Sequence, residues 1–288
     1  MTIFCGFTFF RDFDIVKLKL EEMYEVVDYF VISESTKTHS GKAKPPYFSE
    51  NKHLFSKYSP KIIYQLVTDT PDDFNNLKYK NDPSYDRCVD IINKYLPYLK
   101  GMPGYARDFF EKDMLYKAVQ NCYDDDIFIL GDSDEIAKAT TIDKIIGEFD
   151  HNQVYQLEHR MYNYYLNMRK NEYWIGNLIM DFKKFKETSF SWFRETKKGI
   201  KIPDAGWHYT YTGGKDAIAT KLDAFCEQSF NNDVIRNNLE YNIENALGIN
   251  KDLFNRQYNY WLEEINYENS PKYLVENQNY FSEYIYRK

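Results

Sequence analysis

The chain has 288 residues, of which 43% are hydrophobic and 18% aromatic, with 27 Tyr and 21 Phe; this is enough for one large domain with a sizeable core. Acidic residues number 44 against 37 basic, a net charge of −7 with no long run of one sign, which excludes a surface organised around a nucleic-acid backbone. Cys5, Cys88, Cys122 and Cys226 lack CxxC spacing, and the N-terminal MTIFCGFTFFRDFD meets a charge too early for a signal peptide or a membrane span, so the expectation is a soluble, cytoplasmic protein with reduced thiols.

Four short apolar runs mark the first half, Ile3 to Phe10, Tyr29 to Ser33, Lys61 to Val67 and Asp126 to Leu130, each bounded by polar or turn residues as buried strands are. Between the first two, Asp14 to Val27 places Ile15, Leu18, Met23 and Val26 near helical spacing. Between the third and fourth, Ala106 to Val119 does the same with Phe109, Phe110, Met114, Leu115 and Ala118. Strands alternating with helices predict an α/β fold with a mostly parallel sheet flanked by helices. The Pro-rich stretch Thr68 to Tyr105 reads as a loop with a helical insert around Tyr85 to Tyr95. TTIDKIIGEF, from Thr140, reads as a helix and VYQLEHRMYNYYLN as a strand; Trp174 to Trp192 reads as mostly strand. After the alternating Gly206 to Thr212, Gly213-Gly214 opens a helix with Ile218, Leu222 and Phe225 on one face. The division expected is a catalytic domain over 1–230 and a helical C-terminal extension, 231–288, packed on the core. No repeat, P-loop or GxGxxG occurs.

The fourth run ends in DIFILGDSDEI, an apolar strand driven into Asp132, Asp134 and Glu135. In open α/β sheets ligands bind at the carboxyl ends of the strands, which puts Asp132 and Asp134 in that crevice. D-x-D occurs three times: Asp12 with Asp14 opens a helix, where carboxylates cap amides, and Asp124 with Asp126 precedes a strand in a turn. Only the third follows an apolar strand, with Gly131 permitting close backbone approach and no Lys or Arg nearby in sequence until Lys138. Neighbouring carboxylates repel, so a divalent cation, Mg2+ or Mn2+, is the natural partner, and such ions bind the phosphate oxygens of a substrate. An acidic, helix-capping turn is the ordinary alternative.

Several segments together resemble glycosyltransferase family 17, the family of the β-1,4-mannosyl-glycoprotein N-acetylglucosaminyltransferase. They are Val27-Asp28-Tyr29-Phe30-Val31-Ile32-Ser33-Glu34-Ser35, then Thr38-His39-Ser40-Gly41-Lys42 with Lys44-Pro45, then Gly131-Asp132-Ser133-Asp134-Glu135-Ile136, and Gly206-Trp207-His208, spread over roughly residues 1 to 230. The resemblance implies a GT-A-type, Rossmann-like fold, a UDP-sugar donor, a divalent metal and inversion at the anomeric carbon. It makes Asp134, Asp132 and His208 the metal-ligand candidates, with Asp132 also able to meet the ribose. Glu34, Thr38, His39, Ser40 and Lys42 become candidates for the donor's uracil, ribose or phosphates. Arg107 and Lys112 are further donor-binding candidates, Lys112 standing in Glu111-Lys112-Asp113 where the family tends to show an Arg; a Lys keeps the charge but loses the planar fork. A general base must take the acceptor's proton, and Glu158 and Asp204 are candidates, neither in a distinctive motif. One of Trp174, Trp192 and Trp207 could stack on a sugar ring.

The function expected is therefore an inverting, metal-dependent glycosyltransferase moving a sugar from a UDP-sugar, UDP-GlcNAc first among donors, to a glycan or glycoconjugate acceptor. A metal-dependent phosphohydrolase acting on nucleotides or phosphate esters would also cluster aspartates at a sheet edge, but usually recruits more His and Asp ligands than five histidines readily supply. A carbohydrate-binding module without turnover is the third possibility.

Overall fold

The computed structural model describes residues 1–287. Its strands are β1 (Ile3–Thr8), β2 (Tyr29–Ser35), β3 (Ile62–Val67), β4 (Ile127–Gly131), β5 (Glu135–Ala137), β6 (Tyr155–Asn163), β7 (Met168–Asp181), β8 (Ile200–Thr210) and β9 (Tyr260–Leu262). They form one sheet in the order β3-β2-β1-β4-β7-β6-β8-β5, with β9 beside β7.

The four apolar runs expected to be buried strands are β1 to β4, and they pair in parallel. Alternate side chains serve the two faces. Cys5, Phe7, Phe30, Ile32, Ile127 and Ile129 pack with Val16, Leu20 and Met23 of the helix Phe13–Met23, whereas Phe4, Val31, Phe128 and Leu130 pack with Leu115, Val119 and Leu178 on the other side. Beyond β4 the sheet becomes mixed: β7 runs antiparallel to β4 and to β6, β8 is parallel to β6, and the short β5 lies antiparallel on β8. The α/β architecture, with a parallel half flanked by helices, is the one expected.

Local expectations fail in one stretch. Residues 174–192 were expected to be mostly strand, yet β7 stops at Asp181 and the helices Phe182–Glu187 and Phe190–Thr196 follow. The reason lies in two caps: the Asp181 side chain accepts from the Lys184 amide and the Ser189 hydroxyl from the Trp192 amide. Phe182, Phe185 and Phe190 of these two helices are buried.

Residues 231–287 carry the helices Asp233–Asn237, Leu239–Ile249 and Lys272–Glu276 and, beyond the helical character expected, the strand β9. Leu239, Ile243 and Leu253 share a buried cluster with Ile218 and Leu222, and Leu274 and Phe281 share another with Ile15, Leu18 and Trp207. Near the chain's end, Tyr280 and Tyr284 both donate to the Asp14 carboxylate, at 2.6 and 2.8 Å. Among the described residues no helix is long and apolar enough to cross a membrane.

Candidate active site

The parallel register sets Phe7 beside Gly131 and Thr8 beside Ser33, so the loops after β1, β2 and β4 leave the sheet at one edge. A cavity of about 320 Å3 opens there, walled by Thr8 to Phe10 and Asp12 after β1, Thr38 and His39 after β2, and Asp132 to Asp134 after β4. Its far wall comes from Trp174, His208, Thr210 and the helix Gly214–Ala224 through Lys221.

The acidic turn is fixed from several directions. Gly131 is required because a Cβ there would stand 2.2 Å from the Asn177 side-chain nitrogen and 2.8 Å from a Glu135 oxygen. Glu135 accepts from the Asp132 amide at 2.8 Å and from the Trp174 indole at 2.6 Å. The ammonium of Lys19, fully buried in the first helix, donates to the carbonyls of Asp132 and Glu135 at 2.7 and 2.8 Å. Because Glu135 pairs with His208 in the β5–β8 ladder, the turn and the histidine, 73 positions apart in sequence, are set side by side by backbone hydrogen bonds.

The carboxylates are not uncompensated, as the sequence neighbourhood suggested. Asp132 pairs with Lys112 at 2.8 Å and with Arg194 at 3.1 Å, and Asp134 with Lys221 at 2.8 Å and His208 at 3.3 Å. The countercharges come from remote segments, which local sequence cannot reveal. Burial alone would raise both carboxylates, yet Lys112 and Arg194 hold Asp132 below the usual carboxylate range, and Lys221 with His208 hold Asp134 well below it. His39 sits between Asp108 at 3.5 Å and Glu111 at 3.0 Å; burial disfavours its charged form, but the two carboxylates prevail and raise its pKa.

Of the residues singled out from the sequence, Thr38, His39, Asp132, Asp134 and His208 line this cavity, and Lys112 stands directly behind Asp132. Most of the others lie elsewhere. Glu34 is fully buried, accepts from the Phe48 amide and the Tyr64 hydroxyl and pairs with Lys44, so its carboxylate has no face toward a ligand. Ser40 donates to the Asp223 carbonyl, and Lys42 extends over the surface toward the Asp223 carboxylate. Arg107 donates to the His39 carbonyl and presses against Gly41, whose φ is +92°, bracing the loop rather than facing the cavity. Asp204 is held by Arg160 at 2.5 Å and Lys138 at 2.9 Å, and Glu158 faces Lys201 at 3.8 Å; neither borders the cavity. As candidate bases both are corrected by position, and Asp204 also by its two ion pairs. Among the tryptophans, Trp174 borders the cavity, with its ring 5.4 Å from that of His208. Trp207 is buried and donates to the Asn269 carbonyl, and Trp192 packs beside Tyr95.

Lys19, Arg194 and Lys221 are absent from the sequence reading. Lys221 had a signal, a cation beside Ile218 and Leu222 on an apolar helix face, whereas Lys19 and Arg194 had none. Asp12 was read as a helix cap, but its side chain makes no capping bond and instead accepts from the Ser133 hydroxyl at 2.9 Å.

A parallel half-sheet thus delivers an acidic turn and several cations into one cavity at its carboxyl edge, the place where open α/β sheets bind ligands. Residues 2–95 match the model of glycosyltransferase family 17. No curated protein matches the sequence. Similar solved structures include S. aureus TarS (residues 1–349), 12% identical over 86% of this chain and 73% of that one, with a TM-score of 0.39. Another is glucosyl-3-phosphoglycerate synthase from Mycobacterium tuberculosis, in complex with Mn2+, UDP and phosphoglyceric acid, 11% identical over 78% of each chain, with a TM-score of 0.32. A third is the 2-C-methyl-D-erythritol 4-phosphate cytidylyltransferase of Francisella tularensis, 8% identical over 76% of this chain and 98% of that one, with a TM-score of 0.40.

Proposed function

We propose that this chain transfers a sugar, GlcNAc first among candidates, from a UDP-sugar to a glycan or glycoconjugate acceptor with inversion at the anomeric carbon, using Mn2+ or Mg2+. The reading rests on the family match together with one observation: Asp132, Asp134, His208 and Lys221 meet in a cavity at the carboxyl edge of the parallel strands. We place the reaction in the cytoplasm, a setting that suits four free cysteines.

The donor set accommodates a divalent cation in part. Asp134 and His208 present an oxygen and a nitrogen 3.3 Å apart, and the other ring nitrogen of His208 is buried without a partner. Asp132 is turned onto Lys112 and Arg194, and among the described residues no three His, Cys, Asp or Glu side chains converge as a closed cage would require. That suits an ion which keeps waters and takes substrate phosphate oxygens, as Mg2+ does. Asp134 and His208 would hold it, and it would offset the charge of the departing diphosphate. The same absence of a larger His and Asp cluster disfavours a phosphohydrolase.

The chain's own groups do the remaining work. Lys37, Lys44 and Lys221 bring positive charge to the cavity wall for the diphosphate. Trp174 offers an aromatic face to a pyranose, its indole held by Glu135. Arg194, 5.2 Å above the Trp174 ring, fixes the side chains of Asp132 and Glu135 together. The test is release of UDP from a panel of nucleotide sugars, resolved by chromatography with and without Mn2+. UDP should appear from UDP-GlcNAc, stop on chelation, and fall by about 100-fold or more in Asp134→Asn. Release of inorganic phosphate, or indifference to chelation, would count against the reading.

A further inference from the structure

Five carboxylates border the cavity: Asp12, Asp108, Glu111, Asp132 and Asp134. Four are already neutralised. Asp108 pairs with Lys112 and His39, Glu111 with His39, Asp132 with Lys112 and Arg194, and Asp134 with Lys221 and His208. Asp12 alone forms no ion pair among the described residues. It occupies the capping position of the helix Phe13–Met23 without capping it, and its one side-chain hydrogen bond comes from the Ser133 hydroxyl, which orients one oxygen while the residue borders the cavity. Ser133 lies between the two aspartates of the acidic turn, so Asp12 is anchored to the same element as the donor-binding edge.

Resting on the transferase reading above, we propose that Asp12 is the general base. Its carboxylate takes the proton from the acceptor hydroxyl as that oxygen forms a bond to the anomeric carbon. The bond from that carbon to the diphosphate oxygen breaks with its electron pair going to UDP, and the proton passes from Asp12 to solvent after the product leaves. A carboxylate tied to a lysine or arginine is a poor proton acceptor, because its charge is already stabilised; one left unpaired at a cavity wall is a better one. Withdrawal from water pushes the Asp12 pKa up; Lys221 opposes this, and the charges of Asp134 and Asp132 reinforce it. Tyr284 also faces it.

Asp12→Asn and the unsubstituted chain are compared for UDP affinity by calorimetry and for turnover of UDP-GlcNAc to water, followed as UDP release. The substitution should leave UDP affinity within about 3-fold while lowering turnover 100-fold or more, on the order of what a general base supplies. The acidic limb of the rate profile, which rises with pH as a base loses its proton, should disappear. Azide needs no deprotonation, so it should restore UDP release in Asp12→Asn, an effect that lost folding could not produce. Unchanged turnover in Asp12→Asn, or loss of UDP affinity in parallel with turnover, overturns Asp12 as base while leaving the transferase reading in place. Failure of the unsubstituted chain to bind UDP overturns that reading and this proposal together.

Discussion

His39 shows how strongly one residue's titration depends on residues distant in sequence. With Asp108 on one ring nitrogen and Glu111 on the other, its pKa is raised above 6.5. The folded state therefore binds the proton more tightly than the unfolded chain. The stabilisation is complete below about pH 6.5 and is lost as pH rises through the raised value. Calorimetric melting of His39→Gln against the unsubstituted chain should show the two converging as pH increases from about 6.5; a constant gap across that range would mean that His39 is held neutral. The same dependence explains which residues the sequence revealed. Asp132 and Asp134 were legible because the strand before them is apolar and the sheet edge collects ligands, and His208 through the Gly206-Trp207-His208 resemblance. Their countercharges were not legible, since Lys112, Arg194 and Lys221 reach them from three separate helices. Glu158 and Asp204 were chosen for chemistry alone, and chemistry without position sent both outside the cavity.

At the scale of elements, the short strand β5 matters out of proportion to its length, because it couples the acidic turn to β8. That coupling requires Gly206: a Cβ there would lie 2.3 Å from the Ile136 carbonyl oxygen and 2.7 Å from the ring of His159, which is itself packed against Gly176. Gly206→Ala should force β5 away from β8, lowering stability by about 1–3 kcal/mol in chemical denaturation and weakening UDP affinity, since His208 lies two residues on. Full retention of both would show that the ladder yields without cost. Elements β1 to β4 were readable from apolar runs of strand length, and the helix Phe13–Met23 from its spacing. The helices after Asp181 were missed because a run of aromatic residues fits either period, and only the Asp181 and Ser189 caps separate the two readings.

For the whole molecule, residues 231–287 behave as part of one body. They supply Leu239, Ile243, Leu253, Leu274 and Phe281 to clusters shared with the helix Gly214–Ala224 and with Ile15 and Leu18, and they add β9 to the edge of β7. A chain ending at residue 230 should expose these apolar surfaces and lose a single cooperative melting transition, aggregating instead; a soluble fragment melting as sharply as the full chain would refute this. The sequence indicated a packed extension, but a three-residue strand is too short to announce itself in a Tyr- and Asn-rich stretch.

The grip of Tyr280 and Tyr284 on Asp14 joins the tail to the segment that carries Asp12 only two positions earlier. A load carried by this tail would therefore be felt at the rim of the cavity, so immobilisation should be arranged through the opposite end of the polypeptide.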